Sequence, residues 1–300
     1  IEATRNYNRG SAIGGTQMKR IRITLVMLVT SLLTMTSAVA EDNNLADILA
    51  TQSDENRARY QYRNPEETLN FFGIEPGMTV VEALPGSVWY TGILLPYLGA
   101  NGKLIGADYT VDTWTGIGYD SADFVASRKT WISDWTSKNK ARREDNWASV
   151  DAFVFGALPK SLHGTADAVL FFRALHNMNY SAPSAAHLKD AVRNSWDVLK
   201  SGGIVGIVQH HAQDNMSDAW SNGQNGYLKR DHVVEMMEAA GFELAAESDI
   251  NANDKDRPTE SESVWRLPPS YNGAQDNPAR MAAVKAIGES NRMTLKFVKP

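Results

Sequence analysis

The stretch 78–109 constrains the fold more than any other part of the chain. It begins with TVVEAL, a short apolar run rich in β-branched residues, which is typical of a buried strand. Pro85-Gly86 predicts a turn, and the apolar spacing from Trp89 to Leu98 predicts a helix. KLIGADY then predicts a second strand that carries Asp108 at its carboxyl end. Strand, glycine turn, helix, strand and acid together indicate the first half of a nucleotide-binding α/β sheet.

The turn at Gly86 is less specific than the stretch as a whole. Glycine lets backbone N–H groups approach a ligand, and an acid one strand away can hold ribose hydroxyls. However, Ser87, Val88 and Trp89 follow Gly86, so a complete G-x-G-x-x-G motif is absent. Taken alone, the turn is equally compatible with any tight strand-to-helix connection in a parallel sheet.

Composition and charge exclude several classes of protein. The chain has 300 residues, of which 43% are hydrophobic and 22% charged, as in ordinary globular proteins. It has no cysteine, which excludes disulfides, thiolate nucleophiles and cysteine-based zinc sites. Its formal net charge is −5, and removal of residues 1–40 would make it more acidic. Long-range electrostatics therefore argue against nucleic acid or anionic lipid as a partner.

The front of the chain has the pattern of a targeting segment. We interpret residues 1–17 as an upstream extension outside the mature protein, and residues 18–40 as a signal peptide. A basic region, an apolar run and the small-x-small sequence Ala38-Val39-Ala40 follow one another, and an uncleaved anchor is disfavoured because the run is short. The prediction is cleavage after Ala40, a periplasmic or secreted location, and no stable membrane span after cleavage.

Strands and helices alternate through the predicted mature domain, residues 41–300. A helical lead-in covers 44–72, and one long helix is predicted over 121–140. Further strands are predicted over 150–158, 166–175, 204–210, 242–248 and 294–300. This alternation favours a mainly parallel sheet with helices on both faces. Because only a short helix precedes the last strand, that strand is predicted to insert antiparallel.

Residues 61–300 resemble the class I S-adenosylmethionine-dependent methyltransferases, and specifically their exported group. The resemblance lies in YRNPEETLNFFGIEPGMTVVEALPGSVWYTGILLPYLG, RALHNM, EAAGFELAAESD and LKFVKP. It implies a three-layer, doubly wound α/β fold with a seven-stranded, mostly parallel sheet and an antiparallel last strand, the Rossmann-like methyltransferase fold. It also implies S-adenosylmethionine as cofactor, bound at the carboxyl ends of the first strands.

The resemblance assigns cofactor-binding roles to residues of the first two strands. Glu82 stands where the family carries its first-strand acid, Gly86 matches a glycine of the cofactor loop, and Asp108 matches the acid that binds the ribose. The full set predicted to bind the cofactor is Glu82, Pro85, Gly86, Ser87, Tyr90 and Asp108. Ser87 and Val88 depart from the family, which has glycines here, and β-branched valine disfavours a positive φ.

Three residues are candidates for catalysis: Arg173, His176 and His210. Arg173 and His176 follow the fourth predicted strand, where class I methyltransferases often place substrate and catalytic groups. His176 is the preferred base, because an unperturbed imidazole titrates near neutrality; alternatively it caps the following loop. His210 and His211 end the fifth strand, and side-chain alternation allows only one of them to face the cleft.

Two other sites receive less support. Asp108, His176 and His210 are conceivable metal ligands by residue type, but their spacing matches no metal motif, so no metal is predicted. A serine hydrolase is disfavoured because G-x-S-x-G is absent.

The tryptophans at 114, 131, 135 and 147 either line a substrate pocket or cover the sheet.

Two functions remain open at this point. The first is an exported S-adenosylmethionine-dependent methyltransferase that acts on a small molecule. The alternative is an exported binding or sensing module, without turnover, on a methyltransferase fold whose cofactor loop has degenerated at Ser87-Val88. The sequence names neither the substrate nor the oligomeric state.

Overall fold

The structure is a computed structural model that describes residues 44–300, apart from the side chain of Ser184. The predicted extension (1–17) and signal peptide (18–40) lie outside the described residues. In the part of the chain that is described, no helix is both long enough and apolar enough to span a bilayer.

A seven-stranded sheet forms the centre of the molecule. Its strands are β1 (Thr79–Ala83), β2 (Lys103–Asp108), β3 (Ser149–Val154), β4 (Ala166–Phe172), β5 (Leu199–His210), β6 (Glu243–Ser248) and β7 (Arg292–Val298). Their order is β3-β2-β1-β4-β5-β7-β6. Strands β1 to β5 pair in parallel, whereas β7 is antiparallel to both β5 and β6. The predicted doubly wound sheet with an antiparallel last strand is therefore confirmed.

Twelve α-helices are described, and most of them connect the strands. They are α1 (Leu45–Ala50), α2 (Asp54–Arg57), α3 (Tyr60–Arg63), α4 (Pro65–Phe72), α5 (Thr91–Leu98), α6 (Val111–Gly116), α7 (Ala122–Lys129), α8 (Trp131–Arg142), α9 (Leu175–Tyr180), α10 (Ala186–Val198), α11 (Arg230–Ala239) and α12 (Pro278–Ile287). The first four form the predicted helical lead-in.

Both faces of the sheet are covered, which gives the three layers. Neighbouring residues of β1 show the alternation: Val80 packs into one apolar cluster and Val81 into the other. The first of these clusters includes Leu69 of α4 and Leu94 of α5. The second includes Val192 of α10. Because both faces are buried, the central strands are apolar almost throughout, as expected for a parallel sheet.

The prediction of a single helix over 121–140 is wrong. The structure has two helices there, α7 and α8, which are separated at Thr130. The Thr130 hydroxyl lies 2.7 Å from the Asp134 carboxylate, and such local side-chain bonds favour helix ends over helix interiors. Helix α6 was not predicted at all, although Thr110 caps it by accepting from the N–H of Thr113 at 2.9 Å.

The predicted ends of two strands were too late. Strand β3 ends at Val154 instead of residue 158, and the chain turns at Gly156, whose φ is +83°. Strand β4 ends at Phe172 instead of residue 175, because the chain enters α9 there.

The topology brings several strand ends to one edge of the sheet. The order of the parallel strands reverses between β1 and β4, which creates a crevice at their carboxyl ends. Since β7 is antiparallel, its first residue also lies at this edge, where Arg292 pairs with His210. Residues far apart in sequence therefore meet at the same end of the sheet.

Candidate active site

A cleft of about 890 Å³ lies at the carboxyl edge of the sheet. It is lined by the turn after β1, the ends of β2, β4 and β5, parts of α7 and α8, the segment 264–270 and the start of β7. This volume is near the upper end of the range for small-molecule sites, so a cofactor and a small substrate can fit together.

The turn after β1 is held in a left-handed backbone conformation at three positions. The φ angles are +52° at Leu84, +49° at Gly86 and +59° at Val88. The expectation that a valine would avoid a positive φ is wrong here. The N–H of Val88 donates to the carbonyl of Pro85 (2.8 Å), and its own carbonyl accepts from Gly92 (2.9 Å). These bonds fix a conformation that costs a non-glycine residue about 1–2 kcal/mol.

Space is open at Gly86. A Cβ built there would meet only the carbonyl oxygen of Leu84, at 3.6 Å. The N–H groups of Gly86 and Ser87 donate to no acceptor among residues 44–300, so they can bind a ligand. Pro85, Gly86 and Ser87 line the same cleft as Asp108, which shows that a groove connects the turn to the end of β2.

Glu82 is buried and lines the cleft near the turn. The hydroxyl of Thr91 donates to its Oε2 at 2.6 Å. Burial raises the pKa of Glu82 to about 8, against the opposing effects of Thr91 and Arg142. The carboxyl is therefore protonated at neutral pH in the ligand-free protein.

Asp108 is also buried and lines the cleft at the end of β2. It accepts from Nη1 of Arg128 at 3.2 Å and from Nε1 of Trp114 at 3.4 Å. Burial raises the pKa of Asp108 to about 6, although the N–H of Tyr109 and the charge of Arg128 lower it. Asp108 is thus an ionised acceptor at neutral pH, but two neighbouring donors already contact it.

Tyr90 forms part of a rigid aromatic wall of the cleft. Its ring stacks on Phe172 with centroids 3.5 Å apart and an interplanar angle of 4°. The indole of Trp89 meets the Tyr90 ring edge-on. Burial raises the pKa of Tyr90 to about 12, so the phenol stays neutral.

His176 and His210 lie side by side in the cleft, with ring centroids 5.3 Å apart. His176 belongs to the short helix α9, and its Nδ1 lies 3.4 Å from Oε1 of Gln209. Burial, and next the charge of Arg173, lower the pKa of His176 to about 4 against an opposing bond to Gln209. Burial and the neighbouring His176 lower the pKa of His210 well below its usual value. Both imidazoles are therefore neutral.

Strand alternation separates His210 from His211. His210 faces the main cleft, where its Nδ1 bonds to the hydroxyl of Ser290. His211 lines a second cavity of about 490 Å³, together with Arg230. Within the described residues, no group of three His, Asp or Glu side chains is arranged to hold a metal ion.

The tryptophans combine both roles considered from the sequence. Trp114, Trp131 and Trp135 line the cleft. Trp131 and Trp135 are at the same time buried against the sheet, where the Trp135 ring packs on Gly106. Trp147 packs on the core and does not line the cleft.

Sequence reasoning missed a charged group at one end of the cleft. Arg59, Arg63, Arg173 and Arg292 surround the buried carboxylate of Glu289. Only Arg173 was a candidate beforehand. Arg59 and Glu289 are 230 positions apart, and no local spacing signals their proximity. The partner of Asp108, Arg128, was missed for the same reason.

Of the comparisons with known proteins, only the one with solved structures finds matches to this chain. No protein-family model matches it, and neither does any curated protein. A S-adenosylmethionine-dependent methyltransferase from Aquifex aeolicus aligns over 86% of this chain and 99% of its own, with 14% identity and a TM-score of 0.45. An arsenic(III) S-adenosylmethionine methyltransferase from Chlamydomonas reinhardtii aligns over 85% and 72%, with 12% identity and a TM-score of 0.41. MccD aligns over 78% and 95%, with 11% identity and a TM-score of 0.48.

Likeness of this degree carries no argument about activity, so the fold assignment depends on the sheet itself. The strand order, the reversal between β1 and β4, and the antiparallel β7 are all observed directly. By these features, residues 44–300 have the Rossmann-like fold of the class I S-adenosylmethionine-dependent methyltransferases.

Proposed function

We propose that the protein transfers a methyl group from S-adenosylmethionine to a small molecule. One observation carries this proposal: a single cleft contains the open turn at Gly86, the acid Asp108, and the neutral imidazoles of His176 and His210. Cofactor contacts and candidate bases thus share one cleft, as a transfer reaction requires.

The residues present fit the cofactor. Asp108 offers carboxylate oxygens to the ribose hydroxyls at the end of β2. The N–H groups of Gly86 and Ser87, which donate to no described acceptor, suit the carboxylate of the methionine part. When bound, S-adenosylmethionine supplies an electrophilic methyl group.

The role of the chain beyond binding is to align the acceptor and remove its proton. Nε2 of Gln209 donates to the carbonyl of Gly226 at 3.0 Å, and we assign the proton on Nδ1 of His176 to the bond with Oε1 of Gln209 at 3.4 Å. Nε2 of His176 is then the basic nitrogen of a residue that lines the cleft. Its low pKa keeps it unprotonated at neutral pH, and a rise of this pKa towards neutrality when the acceptor binds would make it a stronger base.

Calorimetry tests the proposal directly. We expect the purified protein to bind S-adenosylmethionine and S-adenosylhomocysteine with micromolar affinity, and to transfer labelled methyl groups to an acceptor from a small-molecule library. No binding heat at millimolar concentrations of either compound would contradict it.

A second function, a binding or sensing module without turnover, is favoured by the contacts of Asp108. Arg128 and Trp114 both donate to this carboxylate, so a ribose must compete with them. Under this alternative a small ligand binds in the cleft, but no methyl group leaves S-adenosylmethionine. A single-turnover assay with labelled cofactor and a candidate acceptor separates the two functions.

We further propose that the protein is exported. The support is the basic, apolar and small-x-small pattern of residues 18–40. Fractionation of expressing cells, followed by amino-terminal sequencing, should find the protein outside the cytoplasm with Glu41 as its first residue. Retention in the cytoplasm with the full sequence would contradict export.

A further inference from the structure

The arginine cluster, defined as Arg59, Arg63, Arg173 and Arg292, converges on one carboxylate. Nε of Arg63 lies 3.3 Å from Oε1 of Glu289, and Nη1 of Arg173 lies 3.5 Å from its Oε2. Arg59 and Arg292 contact the same carboxylate even more closely. Glu289 is only 2% exposed, whereas the side chains of Arg59 and Arg173 are about a quarter exposed, so the group is buried at its centre and reaches the cleft through these arginines.

The cluster has more positive than negative charge. Among the described residues, no other carboxylate forms an ion pair with these four arginines. The other acids of the cleft have their own partners: Glu82 bonds to Thr91, Asp108 to Arg128 and Asp134 to Thr130. Four guanidinium groups therefore share one carboxylate. A buried excess of charge is costly unless a counter-charge is present.

The pKa values of Glu289 and Arg173 reflect this excess of positive charge. Although burial would raise the pKa of Glu289, the four arginines hold it at about 2. Burial and repulsion from Arg63 and Arg292 lower the pKa of Arg173 to about 9. An anion between these guanidinium groups would relieve the repulsion.

Three of the arginines have donors to offer, and one of them is Arg59, which hydrogen-bonds only through its Nε although its Nη2 lies against Glu289. The side chain of Arg173 hydrogen-bonds to no residue of the described range, and Arg63 uses only its Nε. Arg292 is different, because all three of its nitrogens bond to Ser290, Tyr62 and Glu289. Arg63 and Arg173 both line the cleft.

The main chain of Arg173 and the side chain of Arg63 are each restrained. Arg173 has a φ of +57°, an unfavourable conformation for a non-glycine residue, and its N–H donates to the carbonyl of Val208 at 2.7 Å. The guanidinium of Arg63 lies 4.6 Å from the centre of the Trp89 ring. Such restraint reduces the entropy lost when a ligand binds.

The position of the cluster indicates which ligand it serves. Arg292 pairs with His210 across β5 and β7, and Arg173 lies close enough to lower the pKa of His176. Asp108 ends β2, which is three strands from β5. At about 4.8 Å per strand, the two ends of the cleft are roughly 14 Å apart. The cluster therefore belongs to the end with the histidines, away from the proposed ribose site.

We propose that Arg63 and Arg173 bind the anionic group, a carboxylate or phosphate, of an acidic small-molecule methyl acceptor. That the bound anion belongs to a methyl acceptor rests on the proposed function, whereas the anion site itself does not require turnover. Paired guanidinium groups recognise both oxyanions by bidentate, charge-assisted hydrogen bonds.

The test is calorimetry of the purified protein at low ionic strength with inorganic phosphate, with benzoate and with neutral benzamide. We expect at least one of the two anions to bind and benzamide not to bind. Arg63→Gln and Arg173→Gln should each weaken anion binding at least tenfold, because each removes charge-assisted bonds. Arg193→Gln is the matched control, since Arg193 is exposed and pairs with Asp190 outside the cleft.

The outcomes separate this inference from the proposed function. If S-adenosylhomocysteine binds but neither anion does, or if Arg193→Gln has the same effect, the inference is wrong and the function stands. Competition between the binding anion and S-adenosylhomocysteine would also overturn it, since the cluster would then hold the cofactor carboxylate. If Arg63→Gln fails to fold, the more exposed Arg173 decides the question alone. Anion binding without any cofactor binding would uphold the anion site and overturn the function.

Discussion

The carboxylate of Asp108 lies 3.2 Å from Nη1 of Arg128, and both residues line the cleft. This pair joins the end of β2 to α7, so it connects the proposed ribose site to a helix. The sequence had predicted α7 only as part of one longer helix over 121–140. A bound ribose must share Asp108 with Arg128 or displace it. Cofactor binding should therefore alter the contact between α7 and the sheet.

Asp108→Ala should weaken the binding of S-adenosylhomocysteine at least tenfold, because hydrogen bonds to a charged group contribute about 1.5–3 kcal/mol. Calorimetry measures the change. Asp112→Ala is the control, since Asp112 is exposed and lies four residues further along the chain. Equal affinities for the two variants would show that Asp108 does not hold the ribose.

The binding of S-adenosylhomocysteine should depend on pH. Burial raises the pKa of Asp108 to about 6 in the free protein, and the ribose hydroxyls require the ionised form. Affinity should therefore be constant above about pH 7 and fall as the pH drops through 6. Asp108→Asn should remove this dependence. A wild-type affinity that stays flat from pH 5 to pH 8 would assign the ribose to another group.

Glu82→Gln should stabilise the protein increasingly as the pH rises. The pKa of Glu82 is raised by burial from 4.5 to about 8, so the folded state binds more protons than the unfolded state between these values. The wild type therefore loses stability across this window, by at most about 1.4 kcal/mol per pH unit, whereas the glutamine variant does not. Thermal melts at pH 5 and pH 8.5 measure the difference. The exposed Glu75→Gln should show no such trend.

Val88→Gly should not destabilise the protein, in contrast to most valine-to-glycine changes. Val88 has a φ of +59°, and glycine removes a cost of about 1–2 kcal/mol there. Val125, which is also half-buried, lies inside α7, where glycine loses side-chain packing and is a poorer helix former than valine by roughly 0.3–0.5 kcal/mol. Denaturant unfolding compares the two variants. A loss at position 88 as large as that at 125 would show that the turn relaxes.

His176→Asn should lower the turnover number by a factor of about 10²–10⁴, with little change in S-adenosylhomocysteine affinity, because a positioned base contributes about this much. Rates in the wild type should fall at low pH, where His176 becomes protonated. Burial and repulsion from Arg173 lower the pKa of His176, so an anionic acceptor beside Arg173 should weaken the repulsion and raise this pKa. NMR of the imidazole with and without benzoate measures the shift. The exposed His163→Asn is the control. An unchanged turnover number would remove His176 from the mechanism.

Sequence patterns were informative where structure depends on neighbours in the chain. The strand β1 and the turn at Gly86 could be predicted from the sequence, because burial on both faces requires a run of apolar residues and a positive φ favours glycine. The break at Thr130 left no comparable mark, since threonine occurs both inside helices and at their ends. The start of helix α9 was hidden for a related reason: its first residue, Leu175, continues the apolar run of β4.

The charged end of the cleft could not be predicted at all. Arg63 and Arg292 meet at Glu289 only because β7 inserts beside β5 and the helical lead-in lies near the same edge. Nothing in the spacing of these residues reports that contact. Fold likeness also cannot supply it, because charged side chains of this kind belong to the individual site rather than to the fold.

The antiparallel insertion of β7 has a consequence for how the cleft is assembled. Arg292, the first residue of β7, lines the cleft and contacts Glu289, which in turn holds Arg63 and Arg173. A partly folded state in which β1 to β5 have paired but β7 has not would lack this contact. The proposed anion site therefore requires β7 to lie beside β5, and a ligand that binds there can stabilise only states in which β7 is in place.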